Sequence, residues 1–315
     1  MNWRLISAVL GALATLVGIF LLYRVFQRYE LTDIVGSLHE VPSANIAAAA
    51  LCTVLAFIGF GVAEFLAAGY AKGRPPRFLP VLRVAVASLG VGHSIGLAAL
   101  SSGAIRYRMY GRQGLDLVQV AKIIFFSGIT VSLGMLVTAS VVTLLRTELV
   151  AELVRLEPGL LIVIALLFAA VAAAYPVLCL IRRRPIRLRR TSIKLPNVWL
   201  ALAQIAIGTA NQMLVVAIFY FCVGPFTKAA FLPIATLYVG SDAAAALAHV
   251  PGGWGMLEYI MLHFLGERRL IAGIMVFRVI YFLIPLFIGL TVFLADESIN
   301  MLRDKPRRRA AKAAH

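Results

Sequence analysis

Apolar residues along this chain gather into long, nearly uncharged runs separated by short basic loops. Six runs, at 5–23, 46–68, 118–145, 160–181, 198–223 and 271–295, are each long enough as a helix to cross roughly 30 Å of hydrocarbon. The first is flanked by Arg4 and Arg24 and ends without a small-residue cleavage site, which predicts a retained helix rather than a secretory signal. Two further apolar stretches are interrupted. The stretch 81–103 contains Gly90, Gly92, Gly96 and Gly103, with His93 and four serines. The stretch 229–265 contains Pro233, Gly240, Asp242, His249 and the run Pro251-Gly252-Gly253-Trp254-Gly255. Broken backbone survives in hydrocarbon only where protein or a water-lined cavity satisfies it, so both stretches are expected to be re-entrant or broken helical hairpins surrounded by other helices. Their turns are expected at Gly103 and at Pro251, Gly252, Gly253 and Gly255.

Charge sets the direction of each crossing, because basic loops stay on the cytoplasmic side. Lys72, Arg74, Arg77 and Arg83 precede the first broken stretch, and Arg106, Arg108, Arg112 and Lys122 follow it. A single crossing would put one of these clusters outside, whereas a hairpin entering from the cytoplasm keeps both inside. The loop from Arg146 to Glu157 has three glutamates against two arginines and is expected outside. Arg182, Arg183, Arg184, Arg187, Arg189, Arg190 and Lys194 return inside, and so does the tail with Arg307, Arg308, Arg309 and Lys312. Both termini are therefore expected in the cytoplasm, and the second hairpin is expected to enter from the external face.

With this parity, residues 1–150 and 158–296 each read span, span, hairpin, span, but in opposite orientation, with 297–315 as a basic tail. Inverted repeats of this kind place a substrate site near the bilayer midplane, where discontinuous helices leave backbone groups unpaired. The expected class is an all-α polytopic membrane protein of six full spans and two hairpins, built as a single transmembrane domain with the plan of a transporter.

Composition agrees. Of 315 residues 61% are hydrophobic and 14% charged, and a mean hydropathy of +0.92 means more apolar surface than one soluble core can bury. The net charge of +16 is gathered at span ends and in the tail, so anionic membrane lipid explains it better than nucleic acid. Cys52, Cys179 and Cys222 stand singly in apolar runs and read as small buried hydrophobes. The chain has no HExxH, GxSxG, P-loop or dinucleotide fingerprint, so neither an enzyme activity nor a cofactor or metal is expected.

Two segments are distinctive together: Ser102-Gly103-Ala104-Ile105-Arg106-Tyr107-Arg108-Met109-Tyr110, preceded by His93-Ser94-Ile95-Gly96-Leu97, and Val250-Pro251-Gly252-Gly253-Trp254-Gly255-Met256-Leu257-Glu258. They resemble the flippase region of the multiple peptide resistance factor, the lysylphosphatidylglycerol synthase transmembrane family, over about residues 5–295. The resemblance implies a bacterial inner-membrane protein that moves a phospholipid-like amphiphile, such as an aminoacylated phosphatidylglycerol, between leaflets. Full-length members carry a carboxy-terminal synthase; this chain ends soon after Ala295, so aminoacyl transfer is not expected and a separate lipid-modifying enzyme becomes a candidate partner. A membrane-embedded lipid transferase and a non-transporting partner of a lipid-synthesis assembly remain alternatives, and a homo-oligomer stays open.

The candidate site residues are ionisable groups inside apolar stretches, where such groups are costly and face a partner or a cavity. Arg106 and Arg108 offer guanidinium forks to a phosphate as well as marking a membrane boundary. Glu258 offers a carboxylate to a cationic headgroup or to an arginine of the other half. Glu64 and Asp242 are acids within the membrane, with Arg278 as candidate partner. His93 and His249 are candidate proton carriers or plain hydrogen-bonding residues. Asn211 and Gln212 are expected to join helices.

Overall fold

The computed structural model describes residues 31–94, 98–182, 186–188, 191–248 and 255–313. The run expected to span at 5–23 lies outside these. The other five runs are helices long and apolar enough to cross a membrane: α2 (Ser43–Lys72), α5 (Leu117–Leu145), α7 (Pro158–Ile181), α8 (Val198–Val223), and the last span, Leu270–Ile299. A short α1 (Leu31–Glu40) precedes α2, and α6 (Thr147–Val154) links α5 to α7. A two-stranded antiparallel ribbon, β1 (Ile186–Leu188) with β2 (Thr191–Ile193), lies in the arginine-rich loop between α7 and α8.

Local sequence explains where these helices begin and end. Asp116 and Gln119 form a reciprocal capping box at the start of α5, with Asp116 Oδ1 accepting from the Gln119 amide at 2.7 Å, satisfying amides the first turn leaves unpaired. Asn197 caps α8 through the Leu200 amide at 2.8 Å. Gly73, with φ of 68°, ends α2 in the left-handed conformation that glycine adopts without strain.

Both interrupted stretches are pairs of short helices. The first is α3 (Phe78–Ser94) and α4 (Ala98–Arg112); the second is α9 (Phe231–Leu247) and α10 (Met256–Leu265). Within each stretch the two arms pack on one another. α3 ends at Ser94 and α4 begins at Ala98, and Gly103, an expected turn, lies inside α4. A Cβ added there would make only ordinary contact, 3.5 Å from Ile124 Cδ1, so Gly103 is neither a turn nor a forced glycine. Gly255, with φ of 85°, stands at the head of α10. Pro251, Gly252, Gly253 and His249 lie outside the described residues.

The last span is itself divided. α11 (Leu270–Arg278) passes through a π-helical turn, Val279–Leu283, into α12 (Ile284–Ala313). Such turns leave one residue extra in the helical register and recur at functional sites.

α2 and α8 cross at the centre, α5 packs against both, and α3 lies along α12. Glycines allow the closest approaches. A Cβ on Gly90 would sit 2.2 Å from the Pro285 carbonyl oxygen, and one on Gly208 would sit 2.1 Å from the Thr130 carbonyl oxygen. Small residues at helix crossings are how membrane helices gain van der Waals contact where no hydrophobic force separates helix from lipid. The outer faces are apolar: Val163, Leu166, Leu167 and Ile181 on α7 are all more than half exposed, the pattern of a chain whose solvent is lipid.

Candidate functional site

A cavity of about 750 Å³ lies among α2, α3, α4, α5, α8, α9, α10 and the divided last span. Three ionisable side chains line it together with Tyr238 and Tyr281: Glu64 from α2, Arg106 from α4 and Asp242 from α9. Thus three of the expected site residues meet in one space drawn from both halves of the chain.

Glu64 is the most enclosed of them, 1% exposed. Arg106 donates to it through Nε, 2.8 Å from Oε1, and through Nη2, 2.9 Å from Oε2. Tyr110 donates to Oε1 at 3.2 Å and Ser127 to Oε2 at 3.1 Å. Four donors from α4 and α5 therefore saturate a carboxylate on α2. This answers the cost of burying charge, since a buried pair survives only when geometry is good and its remaining valences are filled.

The arginine motif divides between two faces of α4. At about 100° per residue, Arg106 and Tyr110 share one face while Arg108 and Arg112 share the opposite one. Arg106 turns inward. Arg108 donates through Nε and Nη2 to Glu297 of α12, and Arg112 donates to Glu297 and, at 2.9 Å, to Asp296. Arg108 is not among the cavity-lining residues. Residues two apart on a helix point to opposite sides, so Arg106 and Arg108 meet different partners, Glu64 and Glu297.

Among the described residues, Glu258 does not pair with an arginine of the other half. It takes the arginine of its own half, Arg278, which donates from Nε at 3.0 Å and Nη2 at 2.6 Å to Oε1. Its Oε2 accepts from the Gly255 amide at 2.9 Å, so one carboxylate caps α10 and ties it to α11. Neither Glu258 nor Arg278 lines the cavity, although their neighbours Leu257 and Phe277 do. Arg278 was the expected partner of Glu64 and Asp242; Glu64 takes Arg106 instead.

Asp242 stands exposed to the cavity on α9, and Gln212 Nε2 of α8 donates to its Oδ2 at 3.3 Å. Gln212 thereby joins α8 to α9, as expected of it. Asn211 is buried and lines the same cavity, and its Oδ1 has no partner among the described residues. His93 falls near the end of α3, with its side chain outside what is described.

Several contributors escaped the sequence reading. Glu297 and Asp296 lie at the end of the last apolar run, where acids look like ordinary boundary residues. Ser127 and Tyr110 carry no signal alone, though Tyr110, four residues after Arg106, is on the same helical face and was legible in that spacing. Gln204 binds α5 to α7 across α8, donating to the Phe126 carbonyl at 3.1 Å and accepting from Tyr175 at 2.7 Å.

No family model matches the chain. It is 27% identical over 311 residues to the inner membrane protein YbhN of Escherichia coli (strain K12), covering 94% of each chain. It is 22% identical over 287 residues to the uncharacterized protein slr0712 of Synechocystis sp., covering 90% of this chain and 89% of that one. The apolar helices and the similarity to an inner membrane protein along almost the whole length establish a helical membrane protein.

Proposed function

We propose that this protein is a lipid transporter of the bacterial cytoplasmic membrane, moving a phospholipid-like amphiphile between leaflets without chemical change. The observation that carries the reading is the cavity itself: one chamber lined from both halves, apolar over most of its wall, with three ionisable groups inside. At about 750 Å³ it is within the roughly 300–1,000 Å³ of small-ligand sites, a size suited to a polar headgroup while acyl chains remain in lipid.

Arg106 is the one basic residue among the described residues lining the cavity, which makes it the group to meet a headgroup phosphate, exchanging Glu64 for the anion as substrate enters. In this reading residues 1–150 and 158–296 are inverted repeats, the pairs α3–α4 and α9–α10 enter from opposite faces, and both termini are cytoplasmic. The parity of basic loops supports this, as does the packing of each hairpin against a long helix of the other half, α3 on α12 and α9 on α5. The resemblance to a flippase region supports a phospholipid as cargo.

Reconstitution of the purified chain in vesicles carrying fluorescent phospholipids tests the proposal. The expected result is lipid transfer between leaflets that scales with protein density and falls when Arg106 is replaced. Formation of a modified lipid would instead identify a transferase, and the absence of both transfer and product would leave a non-transporting partner.

A further inference from the structure

The cavity holds two carboxylates in contrasting settings. Glu64 accepts four donors, including both arms of an arginine fork. Asp242 is exposed to the cavity space, and the contact made by its carboxylate is with a neutral amide, Gln212. A carboxylate offers about four acceptor positions, so Glu64 has none to spare, while among the described residues Asp242 accepts a hydrogen bond only at Oδ2, from Gln212, on the wall of the cavity.

The amide partner matters because it can serve either protonation state. Through Nε2 it donates to the ionised carboxylate, as here; after a turn of the amide, its Oε1 accepts from the protonated acid. An arginine partner has no acceptor and holds its acid in the ionised form. Of the two cavity acids, the one on α9 has a partner able to serve either form of the carboxyl, and the one on α2 has an arginine fork with no acceptor to offer.

The surroundings bear on the charge. From its own helix Asp242 is faced by the buried phenol of Tyr238, and from the divided last span by that of Tyr281. From α8 it is faced by Gln212, and across the cavity stands the internally neutral Glu64–Arg106 pair. The adjoining α10–α11 pair, Glu258–Arg278, also balances itself. On the other side of α9, Leu153 of α6 packs where Gly240 has no side chain, and α6 carries Glu148 and Glu152. An ionised carboxylate in an apolar membrane cavity is expensive to carry from one exposure to the other, and a proton removes that expense.

We propose that Asp242 is a proton-binding site of the cavity, taking up a proton from water on one side of the membrane and releasing it on the other, so that lipid movement is coupled to a proton gradient. In chemical terms an O–H bond forms on Oδ1 while the cavity is open to the acidic side, and the same bond breaks to water after exposure reverses. No other co-reactant is needed. The inference rests on the transport reading for its coupling, but the proton site stands on its own.

Two measurements separate these. Infrared difference spectra between acidic and alkaline buffer, recorded on the full chain in vesicles, should show a protonated-carboxyl band. That band should vanish in Asp242→Asn, persist at an altered frequency in Asp242→Glu, and shift in Gln212→Leu. Absence of the band in the wild type, or its survival unchanged in Asp242→Asn, would overturn the proton site. In the second measurement, vesicles hold a transmembrane difference of about one pH unit with the membrane potential clamped at zero. One proton per lipid then supports about a tenfold lipid asymmetry, since a tenfold ratio and one pH unit are the same free energy. A wild type that equilibrates lipid symmetrically despite the gradient overturns the coupling. A wild type that moves no lipid under any condition overturns the transport reading, and the spectrum then decides the proton site alone.

Discussion

Arg106 and Glu64 meet through two parallel hydrogen bonds of 2.8 and 2.9 Å, joining α4 to α2 at the wall of the cavity. The pair is at once structural and accessible: it is almost wholly buried against protein, yet both members line the space a substrate would occupy. The second arm of the first hairpin is thereby held to a central helix by a contact on the cavity wall, one for which, in the proposed function, an incoming anion competes.

Breaking one partner leaves an uncompensated buried charge, which costs about 3–5 kcal/mol. Glu64→Ala is therefore expected to lower thermal stability in detergent sharply. Arg106→Lys should lose less, because it keeps the charge and loses the fork. The double variant Glu64→Leu/Arg106→Met should recover most of the stability while abolishing lipid transfer. A melting series over the three variants checks the order; a double variant no more stable than Glu64→Ala would mean that the pair does not act as a unit.

Gly90 and Gly103 predict opposite outcomes for the same substitution. A Cβ at Gly90 meets the Pro285 carbonyl at 2.2 Å and the Gly289 Cα at 3.3 Å, backbone atoms that cannot step aside, so Gly90→Ala should separate α3 from α12 and reduce folded yield. Gly103 is helical with space for a methyl group, and Gly103→Ala should be neutral or stabilising by about 0.5–1 kcal/mol, the usual gain of alanine in a helix interior. Size-exclusion profiles and thermal melts of the two variants read the difference directly.

The contrast shows what the sequence made legible. Long apolar runs predicted α2, α5, α7, α8 and the last span within a few residues at either end, because span length is imposed by the solvent and read from composition. The interruption of 81–103 and 229–265 was legible for the same reason, since glycine, proline and buried acid seldom share a plain spanning helix. Which glycine turns and which merely packs was not legible. Gly90 serves a crossing with Pro285 and Gly289, almost two hundred residues distant, and no local pattern encodes a partner that far away. The site was half legible: Glu64, Arg106 and Asp242 stood out as charges in apolar stretches, but the assignment of Arg106 to Glu64 and Arg108 to Glu297 depends on how α4 is rotated, which the tertiary packing sets.

Topology gives a sharper test. Arg74 lies in the loop before α3 and Gln113 just after α4, and both are exposed. With Cys52, Cys179 and Cys222 replaced by alanine, cysteines at these two positions should both be shielded from an impermeant external thiol reagent in intact cells. Labelling at only one of them would make 78–112 a crossing and remove the inverted repeat.

Glu297 gathers both outward arginines of α4 and is 10% exposed at its side chain, whereas Asp296 beside it is 30% exposed. Exposed ion pairs contribute about 0–1 kcal/mol because water and salt screen them, while burial raises the cost of losing a partner. Glu297→Ala is thus expected to cost more than Asp296→Ala, and the loss should appear where the contact acts. In Glu297→Ala, amide hydrogen exchange across Tyr107–Arg112 should accelerate, because the outer face of α4 loses its tie to α12 while the inner face keeps Glu64. Exchange in the middle of α8, which neither contact reaches, should stay unchanged. Raising ionic strength should narrow the difference for Asp296→Ala and leave most of it for Glu297→Ala. Equal exchange in both variants along α4 would show that α3 alone holds the hairpin to the last span and that the arginine network adds nothing to its position.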